Sequence, residues 1–462
     1  MLTKARSKLS ALIQKNLSGE CFSFKSLTVL FLPLLVDQAM VAILNIINSS
    51  MVSSSGPGAV AAVNMVDSIN LFMMNFFIAI ATGGTVVVAQ YIGRFEPKKA
   101  GEASAQSILS CSLCALVIGV LIIVFSDPLL NVLFGQAEPD VMNNARVYLI
   151  GCCISYPSFA VFQAVSGALR GMGDTRASMM LSIGMNVLVV ILNFIFINGM
   201  GLGVLGVTFS LNIARFLAAV AAVFYLLHTR HELCITGKHF LRFSKSMQKS
   251  IMLIGLPSAS EQMFFHGGKI LTQTFIVSLG TASMTAYAIS MSMIILFQVP
   301  GNALNLAVMT VVGQCMGAGN VKEAKKFMRS FIVTACILCT LVAIVMLPFT
   351  PLLYQMYSPP DGIAFETFTC LIISVIGTPL LWSMAFITPS ALRAAGDAKF
   401  TSIAAMLSMW IVRGMLGYLL GIILGFGIIG VVSAMVLEWG VRALIFALRK
   451  RGTKWYQHKV ID

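Results

Sequence analysis

ALRGMGD at residues 168–174 returns as ALRAAGD at 391–397, 223 positions further on. Outward from this pair, VAQYIG at 88–93 matches VGQCMG at 312–317, and LPLLVDQ at 32–38 matches GLPSASEQ at 255–262. Both of these matches place Gln on Gln at an offset of 224. Matches in near-constant register over roughly 140 residues make the two halves of the chain homologous copies. The solvent of those copies follows from composition. Of the 462 residues 58% are hydrophobic and only 10% charged, with a mean hydropathy of +0.90. A water-facing globule carries roughly a quarter charged residues, so lipid is the medium. A spanning helix needs about 20 apolar residues. Such stretches lie at 27–52, 59–91, 104–126, 146–169, 177–199 and 204–227 in the first half. The second half has them at 249–279, 282–314, 328–349, 364–391, 401–424 and 428–448. Runs of this length read as helices, not as the ten-residue alternation of a β-barrel.

The expected fold is therefore all-α and membrane-integral, with twelve spans in two six-helix bundles. A six-span repeat ends on the side where it began, so both copies share one orientation. They are then related by a pseudo-twofold along the membrane normal. The expected boundaries are a cytoplasmic N-terminal segment at 1–26, bundles at 27–227 and 249–448, a cytoplasmic linker at 228–248 and a tail at 449–462. The net charge of +14 fits this order. If the helices alternate, every Lys and Arg except Arg146, Arg215, Lys269, Arg413 and Arg442 falls in or beside a loop on one side. The positive-inside rule makes that side the cytoplasm and places both termini there. Basicity here is topology, and no nucleic-acid partner is expected. The bacterial inner membrane is the expected location, with insertion as a monomer.

Several chemistries have no residues to carry them. GxxxxGK[ST], HExxH and GxSxG are absent, so neither ATP nor an enzymatic centre is expected, and an ion gradient is the expected energy source. Cys111/Cys114 and Cys336/Cys339 have CxxC spacing but lie in apolar helical runs without neighbouring His or Asp, which reads as packing and not as zinc.

Ionisable groups inside a bilayer cost at least about 2.5–3.5 kcal/mol on insertion scales, and each needs a reason. Asp37 lies four residues after Pro33, and Glu261 lies four residues after Pro257 in the equivalent helix. Proline removes a backbone donor and frees carbonyls near each acid. A carboxylate there can take a proton or hold a sodium ion with nearby oxygens, the chemistry of ion coupling. The alternative is a structural hydrogen-bond partner. Gln38, Asn45, Asn186, Asn193, Gln262, His266 and Lys269 are the polar neighbours available for an ion or substrate cavity. Asn186 and Asn193 are two turns apart on one helical face. They serve equally well as ligands or as interhelical hydrogen-bonding groups. His266 reads as a packed hydrogen-bonder or a proton relay, and Lys269 as a counter-ion for Glu261 or part of the cavity. Arg413, Glu438 and Arg442 are candidates for internal ion pairs.

With those motifs in order and in duplicate, residues 27–450 resemble the multidrug and toxic compound extrusion (MATE) transporters. The resemblance implies cation-coupled export of amphipathic organic cations by alternating access, without a cofactor beyond the coupling H+ or Na+. Asp37 matches the family's helix-1 coupling acid and Glu261 its helix-7 acid. Leu192-Asn193 stands where many members have an aspartate in an N…LD pattern, and 377–390 lacks the helix-10 aspartate of the sodium-coupled branch. Protons are the expected coupling ion, since one carboxylate suffices for a proton while sodium wants several oxygens. A lipid-linked oligosaccharide flippase of the same superfamily, or a channel, is the competing expectation.

Overall fold

A computed structural model describes residues 16–53, 57–135, 138–229, 239, 243–357, 360 and 362–461, with the side chains of residues 45, 46, 49, 50, 52, 53 and 57 outside that description. Helices make up nearly all of it, and there is no β-strand among the described residues. In chain order the helices of the first half are α1 (Phe24–Ser53), α2 (Pro57–Gly93), α3 (Pro97–Val124), the short α4 (Ser126–Phe134), α5 (Pro139–Met172), α6 (Thr175–Asn193) and α7 (Gly203–Thr229). The second half repeats them as α8 (Lys245–Ser278), α9 (Thr281–Gly317), α10 (Val321–Met346), the short α11 (Thr350–Met356), α12 (Ala364–Ala394), α13 (Ala398–Ile423) and α14 (Gly427–Arg451). Helix α12 contains a π turn at Thr378–Trp382, and α13 contains π turns at Ser408–Met415 and Leu419–Ile423. The duplication is visible in the elements themselves, since α2 and α9 are each 37 residues long.

Among the described residues, eleven of the long helices have the length and hydropathy to cross a membrane. The twelfth, α8, has 34 residues and carries Glu261, His266 and Lys269 in its middle. Large apolar side chains such as Leu116, Leu341 and Leu444 are more than half exposed, as a lipid-facing surface requires. The expected span starts at 104 and 328 were seven residues late. Pro97 sits at the first helical position of α3, and the Asn320 side chain caps α10 by accepting the Glu323 N–H at 3.1 Å, so each helix begins in its polar turn. The stretch at 127–140 links α3 to α5. It contains α4, which buries Leu130, and its repeat partner α11 lies at the matching place.

The repeated ALR(G/A)(M/A)GD motif is the sharp turn between α5 and α6, and again between α12 and α13. Gly173 and Gly396 adopt left-handed φ values of 93° and 100° there, which only glycine takes without strain. Asp174 then caps α6 by accepting the Ala177 N–H at 3.3 Å, and Tyr225 Oη donates to its other oxygen at 3.0 Å. Asp397 instead takes a two-pronged contact from Arg449, at 2.7 and 3.1 Å.

Tertiary contacts divide the chain into two compact units, Met1–Gln38 with Ser260–Asp462, and Ala39–Ala259. The first helix of each repeat, α1 and α8, is therefore split between units at Gln38/Ala39 and at Ala259/Ser260. In the Ala39–Ala259 unit, α5 packs closely on α2 through Gly167 and Gly171, which lie against Thr85. Spacing of four between small residues is the usual device for close helix approach in lipid, where no water drives association. Phe77 and Tyr156 meet edge-on at 5.4 Å in the same interface. The N-terminal half of α8 crosses α2 equally closely, where a Cβ on Gly83 would run into the backbone carbonyl of Ile251 and one on Gly255 would lie 3.0 Å from the Ile80 carbonyl. In the other unit, α9, α12 and α14 enclose Phe297, Leu371, Trp382, Met435 and Trp439.

Substitution at this crossing gives a direct test of the packing. Gly83→Val should lower the melting temperature of detergent-purified protein by an amount equivalent to about 1–3 kcal/mol, since the obstacle is backbone. Gly184→Ala on α6, where an added Cβ meets nothing within 4 Å, should leave it unchanged or slightly raised. Equal melting temperatures for wild type and Gly83→Val would refute the close approach.

Candidate ion-coupling site

Both proline-linked acids are buried, Asp37 at 5% exposure on α1 and Glu261 at 6% on α8. Around Glu261 the second half assembles a charged cluster. Its Oε2 accepts from Ser402 Oγ at 3.1 Å and lies 3.3 Å from Arg393 Nη1. Its Oε1 lies 3.6 Å from Arg442 Nη2. Arg442 Nε in turn stands 3.7 Å from Oε1 of Glu438, which is fully buried and also accepts from Ser408 Oγ at 2.9 Å. The buried Arg442 guanidinium lies 5.0 Å from the Phe386 ring centroid, a cation–π contact that burial strengthens. Arg413, 4% exposed, donates to Met409 Sδ at 3.8 Å. With Arg413 counted, two carboxylates and three guanidiniums give this cluster one positive charge in excess. The expected pairing of Arg442 with Glu438 is present, and Arg442 also reaches Glu261.

Local helix geometry makes the cluster possible. Ser408 and Arg413 are five residues apart, about 140° around an α-helix. The π turn at Ser408–Met415 bonds i to i+5, which brings such residues onto one face. Ser408, Met409, Arg413 and Gly414 are all buried together there. Sequence reasoning set Arg393 aside as a loop-flanking topology charge. It lies in the last turn of α12 with its side chain only 13% exposed, and pairs with Glu261. Its position inside the duplicated motif was the available signal, because the equivalent Arg170 also turns inward, with Nη1 donating to Ser178 Oγ at 3.5 Å.

The remaining candidate residues are dispersed. Lys269 is exposed, with Nζ 5.0 Å from the Phe265 ring centroid, and forms no ion pair with Glu261. His266 is half-buried and meets Phe265 edge-on at 6.2 Å, while Gln38 and Gln262 are half-buried. Asn193 is buried and donates to Asn48 Oδ1 at 3.2 Å, tying α6 to α1. Asn186 Nδ2 donates to the Ser182 carbonyl of its own helix at 2.8 Å. The side chain of Asn45 lies outside the described residues. Asp67 is half-buried and accepts from Tyr148 Oη at 3.0 Å. Arg215, the repeat equivalent of Glu438, is buried and donates to Ser155 Oγ at 2.6 Å.

One metal-like grouping exists among the described residues. Cys21, Cys315 and Glu323 hold ligand atoms within 4.8 Å of one another. Glu323 already accepts the backbone N–H groups of Glu20 and Cys21, the latter at 2.8 Å. Burial, and then the hydrogen bond to Glu323, push the Cys21 thiol up to about 11, so it rests protonated near neutrality. A structural zinc takes four ligands, and only three gather here. These three residues therefore act as a clasp for the segment before α1.

A doubled bundle of spanning helices, with acids after proline in the first helix of each copy, defines a class of polytopic membrane transporters. The MatE family profile matches residues 33–195 and again 257–419, so this chain belongs to the MatE family of multidrug and toxic compound extrusion transporters. It is 29% identical over 450 residues to the uncharacterized transporter YisQ of Bacillus subtilis, covering 96% of this chain and 97% of that one. Identity to the probable multidrug resistance protein NorM of Thermotoga maritima is 23%, covering 95% and 94%. An outward-facing structure of a multidrug resistance MATE family transporter superposes with a TM-score of 0.85 at 20% identity, covering 92% of this chain and 95% of that one.

The cluster predicts a specific stability pattern. Arg442→Met strands the carboxylate of Glu438 and should destabilise purified protein by about 3–5 kcal/mol. Adding Glu438→Gln should recover part of that loss, because the stranded charge is gone. Thermal denaturation of the two variants checks this, and a double variant no more stable than the single one would refute the pairing.

Proposed function

We propose that this protein is a secondary antiporter that exports amphipathic organic cations in exchange for protons across the bacterial cytoplasmic membrane, as a monomer with both termini in the cytoplasm. Sodium is the alternative coupling ion. The observation that carries the reading is the MatE match in both repeats, combined with a buried carboxylate four residues after Pro33. Asp37 acts as the coupling acid. Glu261, with Arg393, Arg442 and Ser402 around its oxygens, acts mainly as the anchor of its cluster. Pro33 leaves the carbonyl of the preceding turn without its amide, so the helix near Asp37 can bend as the acid changes charge.

The coupling logic is linkage. A carboxylate that offsets a substrate cation in a low-dielectric cavity loses that role when protonated, so protons and substrate compete. Alternating access then lets protons enter from outside and displace the drug there.

The excess guanidinium charge of the Glu261 cluster favours one further reading, transport of an anionic lipid-linked substrate. A fold neighbour is described by the words "Reverse polarity of binding pocket suggests different function of a MOP superfamily transporter from Pyrococcus furiosus". Charge of that sign would attract anions and not organic cations.

Proteoliposome flux separates these. An inward-directed pH gradient should drive organic-cation efflux from wild type, and Asp37→Asn should reduce it to background while inserting normally. Retained gradient-driven flux in that variant removes Asp37 from coupling, and flux needing Na+ instead of a pH gradient reassigns the ion. Substrate affinity of purified protein should fall as pH drops for cations and stay level for neutral analogues. Affinity for cations that is level from about pH 5 to 9 would leave only indirect coupling.

A further inference from the structure

A groove of about 910 Å³ lies where the first turns of α10 meet the last turn of α14, and it is lined by Lys322, Lys325, Lys326, Arg329, Lys450 and Arg451. The segment before α1 forms one wall: Lys326 Nζ donates to the Ser18 carbonyl at 2.5 Å, and Ser330 Oγ to the Asn16 carbonyl at 2.7 Å. Among the described residues none of the six cations is in an ion pair. Glu323, the acid nearest in sequence, turns its carboxylate to the N–H groups of Glu20 and Cys21. The matching end of the first half is different. There Glu96 pairs with both Arg94, at 3.0 Å, and Lys99, at 2.7 Å. A topology signal alone needs positive residues near the bilayer; it does not need them gathered unpaired around one concavity.

The groove also has an apolar side. Val333 and Ile337 line it and are 49% and 54% exposed. On α10 they continue at helical spacing into the exposed Leu341 and Ile344, and on α14 the exposed Leu444 and Leu448 lead into Arg451. Cations at the helix ends thus give way directly to two tracks of lipid-facing side chains. The ligand that matches both is a phospholipid, with its headgroup in the groove and its acyl chains along the tracks. Six cations in a space of this volume match a headgroup with two phosphates better than one with a single phosphate.

We infer that this groove is a binding site for a dianionic phospholipid of the diphosphatidylglycerol type, which fastens the segment before α1, α10 and α14 together at the membrane surface. The site is independent of the transported substrate and of the coupling ion.

Native mass spectrometry of the full-length protein, titrated separately with diphosphatidylglycerol, phosphatidylglycerol and inorganic pyrophosphate, tests it. Wild type should retain one diphosphatidylglycerol at about tenfold lower concentration than phosphatidylglycerol. The variant Lys322→Gln/Lys325→Gln/Arg329→Gln/Lys450→Gln should lose that retention by about tenfold or more, and replacing the three lysines by arginine should keep it. A control with the same charge loss outside the groove, Arg94→Gln/Lys98→Gln/Lys99→Gln/Arg176→Gln, should bind as wild type does. Equal retention of the two lipids by wild type overturns the proposal whatever the variants do. So does an equal loss in the control, which would mean general surface charge. Pyrophosphate binding as tight as the lipid would make the groove a free-anion site and overturn it also.

Discussion

A buried charge needs compensation from its neighbours, and in the second half of this protein Arg442 supplies it to two carboxylates. It stands within ion-pair distance of both Glu261 and Glu438, on α8 and on its own helix. Without it, Glu438 would face only the hydroxyl of Ser408 among the described residues. The surrounding features follow from this arrangement. The π turn of α13 turns Ser408 and Arg413 to one side, Arg393 reaches in from the end of α12, and Phe386 covers the guanidinium face. Buried pairs of this kind are weak sources of net stability but severe to break. They hold one arrangement of helices against others of similar apolar contact.

Duplication supplied two copies of each element and then let the charges diverge. The turn at Gly173-Asp174 and its copy at Gly396-Asp397 keep the left-handed glycine, which the backbone demands. The aspartates keep a place but change partner, from Tyr225 and a helix cap to Arg449. Arg215 and Glu438 share a repeat position with opposite sign, and each is satisfied locally, by Ser155 in one half and by Ser408 and Arg442 in the other. Backbone requirements are inherited because no other residue meets them. Side-chain charges are free to change wherever a neighbour changes too.

The span count, the repeat and the helix identities were legible in sequence, because hydropathy over 20 residues and a fixed register are strong, additive signals. The two proline-linked acids were legible because charge is rare in such runs, and the structure places both in the interior. Arg393 was not, since a basic residue at a helix end looks like topology until its neighbour across the bundle is known. The asymmetric fates of Asn186 and Asn193 were also hidden. The two share a face, yet one bonds to its own helix and the other to α1, a difference set by what lies opposite. The π turns left no trace either, because hydropathy does not report an i+5 bond.

Asp37 and Glu261 occupy equivalent places, and the environment of Glu261 argues that equivalence of place is not equivalence of role. A coupling acid must exchange its partner during a cycle, trading a cation for a proton and back. An acid flanked by two guanidiniums and a serine hydroxyl has partners that belong to its own unit, and releasing them would leave a buried Arg442 facing Glu438 alone. Breaking a buried pair of this kind costs about 3–5 kcal/mol, so these partners hold the cluster in one arrangement. In the proposed proton antiport the second repeat is then the scaffold, and the proposed coupling step falls to α1, where a proline interrupts the helix four residues before Asp37.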